Sequence, residues 1–444
     1  MEFNIGSIVG SGNRLLYILI AAVALLVFLT VILVVRNFGG SGSQQVTLQV
    51  WGVFDERTAF DKAVKDFQQT NPNIRVVYTK FAFADYESST INALAAGTGP
   101  DIWMIHNTWL PKHADKLAPL PDTIPGQSGP LMTIADYKSQ FVDVAFNDLV
   151  KNGKIYSMPL YIDTLGLYYN KDLLQSAGFS RPPRTWNEFN SYVQTLTRQD
   201  DKGNITQAGA AIGSARNVNR STDILMALML QSGVHMTSDD NSSATFAHSV
   251  DNQKVGEIAL QYYTDFTNPT KQTYCWNDSQ HYSVDAFSEG NVAMMFNYSH
   301  QVAELRAKNA RLNFAVASMP QLSETDVRTY ASYWAPAVTM NSKNPVEAWK
   351  FINFLASKTG ATDYLNATNR PSGRRDIIDL QKSDPDLGVF ALQALSARSW
   401  YQINNTAIET IFANMIDDVN FGRATVKDAL ANAESQVTVL MSRR

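Results

Sequence analysis

Residues Leu15 to Val35, LLYILIAAVALLVFLTVILVV, form an uncharged apolar run of 21 residues, and no other stretch constrains the chain as strongly. As a helix the run is roughly 31 Å long, close to the hydrocarbon thickness of a bilayer. A buried core helix of this length carries a polar face, and this one has none, so the run reads as a membrane helix. No small-residue cleavage site follows it and no cysteine stands near its end to accept a lipid, so it reads as a retained anchor. Arg14 and Arg36 flank it evenly and leave its orientation open. Gly39 to Ser43, GGSGS, then make a flexible spacer.

The remaining body, from about Gln45 to Arg444, has the composition of a folded protein, since 45% of the whole chain is apolar and 18% charged. Its 37 Lys and Arg against 41 Asp and Glu give a net charge of −4, without the basic surplus that nucleic-acid binding needs. A single cysteine, Cys275, rules out an internal disulfide framework or a cysteine-built metal centre and reads as a packing residue. The six histidines lack metal-ligand spacing, Asp200 to Asn204 reads as a turn and not a calcium loop, and no cofactor or metal is expected. Phosphate-loop, dinucleotide, zinc-protease and nucleophile-elbow motifs are missing, so no catalytic residues are assigned.

Periodicity gives the architecture. Val46–Val53, Ile74–Phe81 and Asp101–His106 read as strands, and the stretches between them, Phe60–Phe67 and Asp85–Ala96, as helices. Alternation of this kind within about sixty residues implies a parallel sheet, whose ligands bind beyond the carboxyl ends of the strands. That edge holds Phe54-Asp55-Glu56 and Asn107-Thr108-Trp109. Asn344-Pro345 reads as a capped helix start, and Thr406–Met441 as helix broken near Gly422. Aromatic residues at loops and strand ends, Trp109, Tyr161, Tyr298, Tyr333, Trp334, Trp400 and Tyr401, could stack on sugar rings, although most aromatic residues must fill a core.

Four segments in order carry a resemblance: Ala95–Trp109 (AAGTGPDIWMIHNTW), Gly153–Phe189 (with YYNKDLL and PPRTWNEF), Phe287–His300 (FSEGNVAMMFNYSH) and Tyr333–Ser357. Together they resemble family 1 extracellular solute-binding proteins, the receptors of ABC importers that include maltose and multiple-sugar receptors. The resemblance implies an α/β, two-lobe periplasmic-binding-protein-like fold of type II with a hinge, preceded here by the transmembrane helix. It implies lobe 1 at 45–160 plus 330–370 and lobe 2 at 161–325 plus 371–444, after the anchor and spacer at 1–44. The implied function is a monomeric, membrane-anchored receptor, not an enzyme. It would capture a small solute, most readily a saccharide, and hand it to ABC permease subunits. The N-terminus would be cytoplasmic and the body extracytoplasmic.

The resemblance also implies ligand contacts. Asp163 stands where such receptors carry a sugar-binding carboxylate, Trp400 near a stacking tryptophan, and His300, Asn297 or Tyr298 in a segment that carries another stacking residue. Trp334 lies in a loop that often lines the cleft. With Asp55, Asn107 and Trp109 from the strand-edge argument, these are the expected ligand-binding residues; Asn107 and Trp109 replace charged and polar positions, which argues against maltodextrin as the ligand. A solute sensor and an anchored carbohydrate-active enzyme are the alternatives.

Overall fold

The computed structural model describes residues 45–442 and Thr30. Apart from Thr30, the expected membrane helix lies outside the described residues, among which no helix is long and apolar enough to cross a membrane.

The elements that position the site are strands β1 (Val46–Gly52), β2 (Ile74–Lys80), β3 (Ile102–His106), β4 (Asp163–Thr164), β5 (Gly166–Asn170), β6 (Met294–Asn297), β7 (Phe314–Ser318), β8 (Thr329–Ser332), β9 (Trp334–Val338) and β10 (Ala397–Arg398). The helices are α1 (Asp61–Thr70), α2 (Phe83–Ala95), α3 (Asp143–Leu149), α4 (Ser221–Gln231), α5 (Pro345–Leu355), α6 (Gly388–Ala394), α7 (Asn405–Asn420) and α8 (Val426–Ser442).

The first sheet has the order β9-β3-β1-β2. Strand β1 runs parallel to β2 from Val46 opposite Ile74 to Gly52 opposite Lys80, and parallel to β3 at Val50 and Trp51. Strand β9 closes it antiparallel, with Trp334 opposite His106 and Val338 opposite Ile102. The strand–helix alternation is therefore the expected parallel unit with one antiparallel strand added from far along the chain. A second sheet, β6-β5-β7, is antiparallel throughout. At its start Gly166 is required by packing, because a Cβ there would meet Phe390 at 2.7 Å and Val316 at 2.8 Å.

Two apolar cores result. The first gathers Leu48, Val50, Phe67, Trp103, Ile105, Trp349 and Ile352; the second gathers Tyr168, Phe189, Tyr263, Phe296, Phe412 and Leu430. The chain passes between them after Ile162, after Tyr330 and between Ala397 and Trp400. These three passages coincide with β4, β8 and β10, which form a small sheet of their own in the order β10-β8-β4. Ile377, Ile378, Ala391, Ala394 and Ala397 belong to the first core and Phe390 to the second, so the stretch 371–397, expected in lobe 2, packs mainly with the first core and contributes to both. The reason lies in α6: its Phe390 enters the second core while Ala391 and Ala394 enter the first, so the chain returns only at β10.

Buried polar groups hold the passages together. The Gln393 amide donates to Thr164 Oγ1 and the Leu165 carbonyl, both at 3.1 Å, and its Oε1 accepts from the Met319 N–H at 2.9 Å. Asp148, on α3, accepts from Asn107 at 3.0 Å, Tyr333 at 2.9 Å and the Ser399 hydroxyl, just where β3, β8 and β10 end. Burial pushes its carboxyl up to about 6, against the pull of those three donors.

Helices also follow the sequence pattern, with one difference in detail. Pro345 opens α5 as expected, but the Asn344 side chain makes no capping bond. Gly422, at φ +65°, stands between α7 and α8, where a left-handed residue ends the first helix. Asp200 accepts from the N–H groups of Lys202 and Asn204, the geometry of a turn. Cys275 is fully buried, bonded to the Ala210 carbonyl, and its thiol is pushed up to about 12 by burial.

Candidate functional site

Because β1, β2 and β3 are parallel, their carboxyl ends share one edge, and antiparallel β9 begins at that same edge. Four aromatic rings gather there. Phe54 follows β1, Phe83 begins α2 just after β2, His106 ends β3 and Trp334 starts β9. The Phe54 and Phe83 rings stack with centroids 5.4 Å apart, and Trp334 stands edge-on to them at 5.8 and 6.1 Å. His106 packs edge-on to Trp334 at 5.4 Å. Phe54 and Phe83 remain 51% and 54% exposed. Leaving two such rings half in water forgoes about 1 kcal/mol each, and adjacent exposed apolar surface of this kind marks a binding face.

The Phe54 backbone carries a second cost, a left-handed φ of +62° on a residue with a Cβ. Asp55 holds it there. Its carboxylate accepts from the Tyr364 hydroxyl and the Arg370 guanidinium, both at 2.7 Å, while its backbone carbonyl accepts from Tyr78 at 3.1 Å. Arg370 in turn lies 4.3 Å over the Tyr161 ring. Asp55 is thus a tether that turns Phe54 outward.

The second lobe contributes a polar wall. Asp163, at the first passage, is buried and accepts from the Ser299 N–H at 3.0 Å and Ser299 hydroxyl at 2.7 Å, and from the Thr164 N–H at 3.0 Å. Burial pushes its carboxyl up to about 6. The Tyr298 hydroxyl donates to Asp223 at 2.8 Å, and the Arg220 guanidinium lies 5.2 Å over the Tyr298 ring. Next in the chain are Ser299 and His300, the latter pushed down to about 4 by burial and then by Arg220 and Arg370. Glu409, on α7, is pushed up to about 7, first by burial and then by the charge of Asp223. Arg220, His300 and Glu409 keep open solvent access although their titration is governed by the protein around them. Side chains with both properties line a cleft.

The two walls meet. Burial pushes His106 of the first edge down to about 3, and Arg220 of the opposite wall adds to the effect. Trp109 donates its indole N–H to Asn405 at the start of α7, at 2.9 Å.

Of the seven expected ligand-binding residues, most spend their polar atoms within the protein. Trp109 and Trp334 come together, ring centroids 4.9 Å apart. Asp163 and Tyr298 are joined through Ser299, and Asp55 holds Arg370. Asn107 is buried between Asp148 and the Tyr333 N–H. Trp400 stands apart in the second core, its N–H toward Met226 and its ring 6.2 Å from Phe412. Phe54, Phe83, His106, Arg220 and Glu409 were not selected from the sequence. A signal was present for the first two, since each stands directly beyond the carboxyl end of a predicted parallel strand. Two surface grooves, of about 430 and 720 Å³, are lined by none of these residues.

This architecture matches known proteins across most of the chain. The maltodextrin-binding protein MdxE of Bacillus subtilis is 24% identical over 351 residues, 77% of each chain. Among solved structures, the sugar-binding protein MalE of Xanthomonas citri aligns with a TM-score of 0.74 at 20% identity, covering 90% of this chain and 98% of that one. The cyclic α-maltosyl-1,6-maltose-binding protein of Arthrobacter globiformis aligns with a TM-score of 0.73 at 23% identity, covering 90% and 100%. These likenesses establish the two-lobe α/β fold. The family model of the bacterial extracellular solute-binding proteins matches residues 62–389, and this chain belongs to that family.

Proposed function

We propose that the protein is a saccharide receptor of an ABC importer, held at the extracytoplasmic face by a membrane helix at residues 15–35. The observation that carries the saccharide reading is the shelf of Phe54 and Phe83, stacked, half exposed and backed by Trp334, opposite a wall of hydrogen-bonding side chains. Pyranose rings present apolar faces to such a shelf and hydroxyls to such a wall. The names of MdxE and MalE point to the same ligand class.

In this reading one lobe comprises 45–162 with 331–397 and the other 165–330 with 400–442, and the three passages serve as the hinge. Both lobes touch the solute, so binding favours the closed arrangement by its difference in affinity for the two. The monomeric closed form is what permease subunits would engage. Trp334 extends the shelf and Asp163 and Tyr298 sit at the ligand's polar side; Asp55, Asn107 and Trp109 shape the first wall, and Trp400 supports the second. No bond of the solute changes.

A thermal-shift screen of the full chain in detergent against neutral oligosaccharides, polyols, peptides and polyamines tests the proposal. A saccharide should raise the melting midpoint by binding the folded state, and Phe83→Ala should weaken that shift at least tenfold in ligand concentration. Stabilisation by non-carbohydrates alone would refute it.

A further inference from the structure

The charged groups of the second wall lie close together without pairing. Among the described residues, the Arg220 guanidinium has its ring contact with Tyr298 but no hydrogen-bond partner and no carboxylate within 4.0 Å. Asp223 accepts from Tyr298 and is otherwise held only by the field of Arg220. Glu409 is exposed, with the Asn405 amide NH2 within bonding reach as a donor while the Asn405 oxygen accepts from Trp109. Arg220 is thus paired with neither carboxylate and presents its five donors at an exposed position, while Glu409 presents acceptors at another.

The charge balance of the cleft is acidic. Arg370 is matched by Asp55 at 2.7 Å. At pH 7.5 Asp163 and Glu409, pushed up to about 6 and about 7, are still mostly ionised, so Arg220 stands against them and Asp223, while His106 and His300 are neutral. A neutral sugar would bond to these groups but leave the surplus negative charge in place. A uronic acid would satisfy Arg220 at the expense of repulsion from three carboxylates. An amino sugar does both: its hydroxyls accept from Arg220 and its ammonium offsets the carboxylates.

We propose that the cleft selects saccharides bearing a primary ammonium group, with that group set against the exposed carboxylate of Glu409 and adjacent hydroxyls against Arg220. The inference rests on the saccharide reading above and specifies its substrate class.

Three β-1,4-linked disaccharides of matched shape decide it: the dimer of glucosamine, cellobiose and cellobiouronic acid, titrated calorimetrically into the full chain in detergent at pH 7.5. The amino disaccharide should bind about five- to tenfold more tightly than cellobiose, and the uronate more weakly than either. Glu409→Gln, a change at an exposed helix position, should reduce the ratio of amino to neutral affinity to less than twofold. Equal affinities, the reverse order, or an unchanged ratio in Glu409→Gln would overturn the inference and leave the saccharide reading standing. Failure of these three and of a wider panel of neutral saccharides to bind would overturn both.

Discussion

The Trp109–Asn405 bond is the most direct way to test how the lobes are held. It joins the aromatic cluster of the first lobe, where Trp109 packs on Tyr86, Trp103 and Trp334, to the first turn of α7 in the second. At 2.9 Å between neutral, largely buried partners it should contribute about 1 kcal/mol, about fivefold in the equilibrium between lobe arrangements. Asn405→Ala removes it from the second lobe at little cost to the helix, since Asn404 still accepts from the Ala407 N–H at 3.2 Å and alanine is the better helix former. Trp109→Phe removes the N–H from the first lobe but also leaves a gap among the rings. A double-mutant cycle cancels that gap. Spin labels at Ser88→Cys and Gln194→Cys, both exposed and one on each lobe, report the interlobe distance, while buried Cys275 stays unlabelled. Each single variant should shift the distance distribution of the full chain about fivefold, and the double variant no further than the larger single shift. Independent effects, multiplying to about 25-fold, would refute a direct latch, as would distributions that do not move.

Two further outcomes follow from buried charge. His106 in the folded protein stays neutral down to about pH 3, whereas an unfolded chain protonates it below about 6.5, so it withdraws stability as pH falls through that window and is silent above it. His106→Gln should start less stable at pH 7, having lost its bonds to Thr108 and Ser332, yet lose fewer degrees of melting temperature between pH 7 and 4; parallel curves would refute this. Arg370→Met leaves Asp55 with only its tyrosine partners and should cost about 3 kcal/mol in urea unfolding, part of it recovered in Asp55→Asn/Arg370→Met. A loss below about 1 kcal/mol would mean that the pair does not hold the Phe54 turn.

What was legible in the sequence was what local pattern decides. Strands β1 to β3 and the helices between them were found because alternating and helical periodicities follow one another within sixty residues, and the ligand edge then follows from strand direction alone. Strand β9 was not read as part of that sheet, since nothing in Trp334–Val338 announces a partner more than two hundred residues earlier. The strand-edge argument found the right loop at Phe54-Asp55 but favoured the charged residue. A carboxylate and an aromatic ring are equally plausible at a loop, and only the packing of Tyr364 and Arg370 shows that Asp55 turns inward and Phe54 outward. Arg220 and Glu409 were invisible because their significance is an absence of partners across the fold, which no sequence window contains. Resemblance pointed to Trp400 and Asp163, but similarity of position does not specify whether a side chain ends in a cleft or beneath it.

The three passages between the cores also bear on how the protein is made. Neither core is encoded in one uninterrupted piece: the first needs residues from Leu48 to Ile162 and again from Ala331 to Ala397, and the second needs the stretch after Trp400. As the chain emerges from the ribosome, its first apolar surface therefore waits for strand β9 and helix α5, and its second for the final two helices. Closure over such separations is slow and leaves apolar surface open for most of synthesis. A chain that can complete neither core until the residues after Ala331 are made remains without its native packing through most of its synthesis.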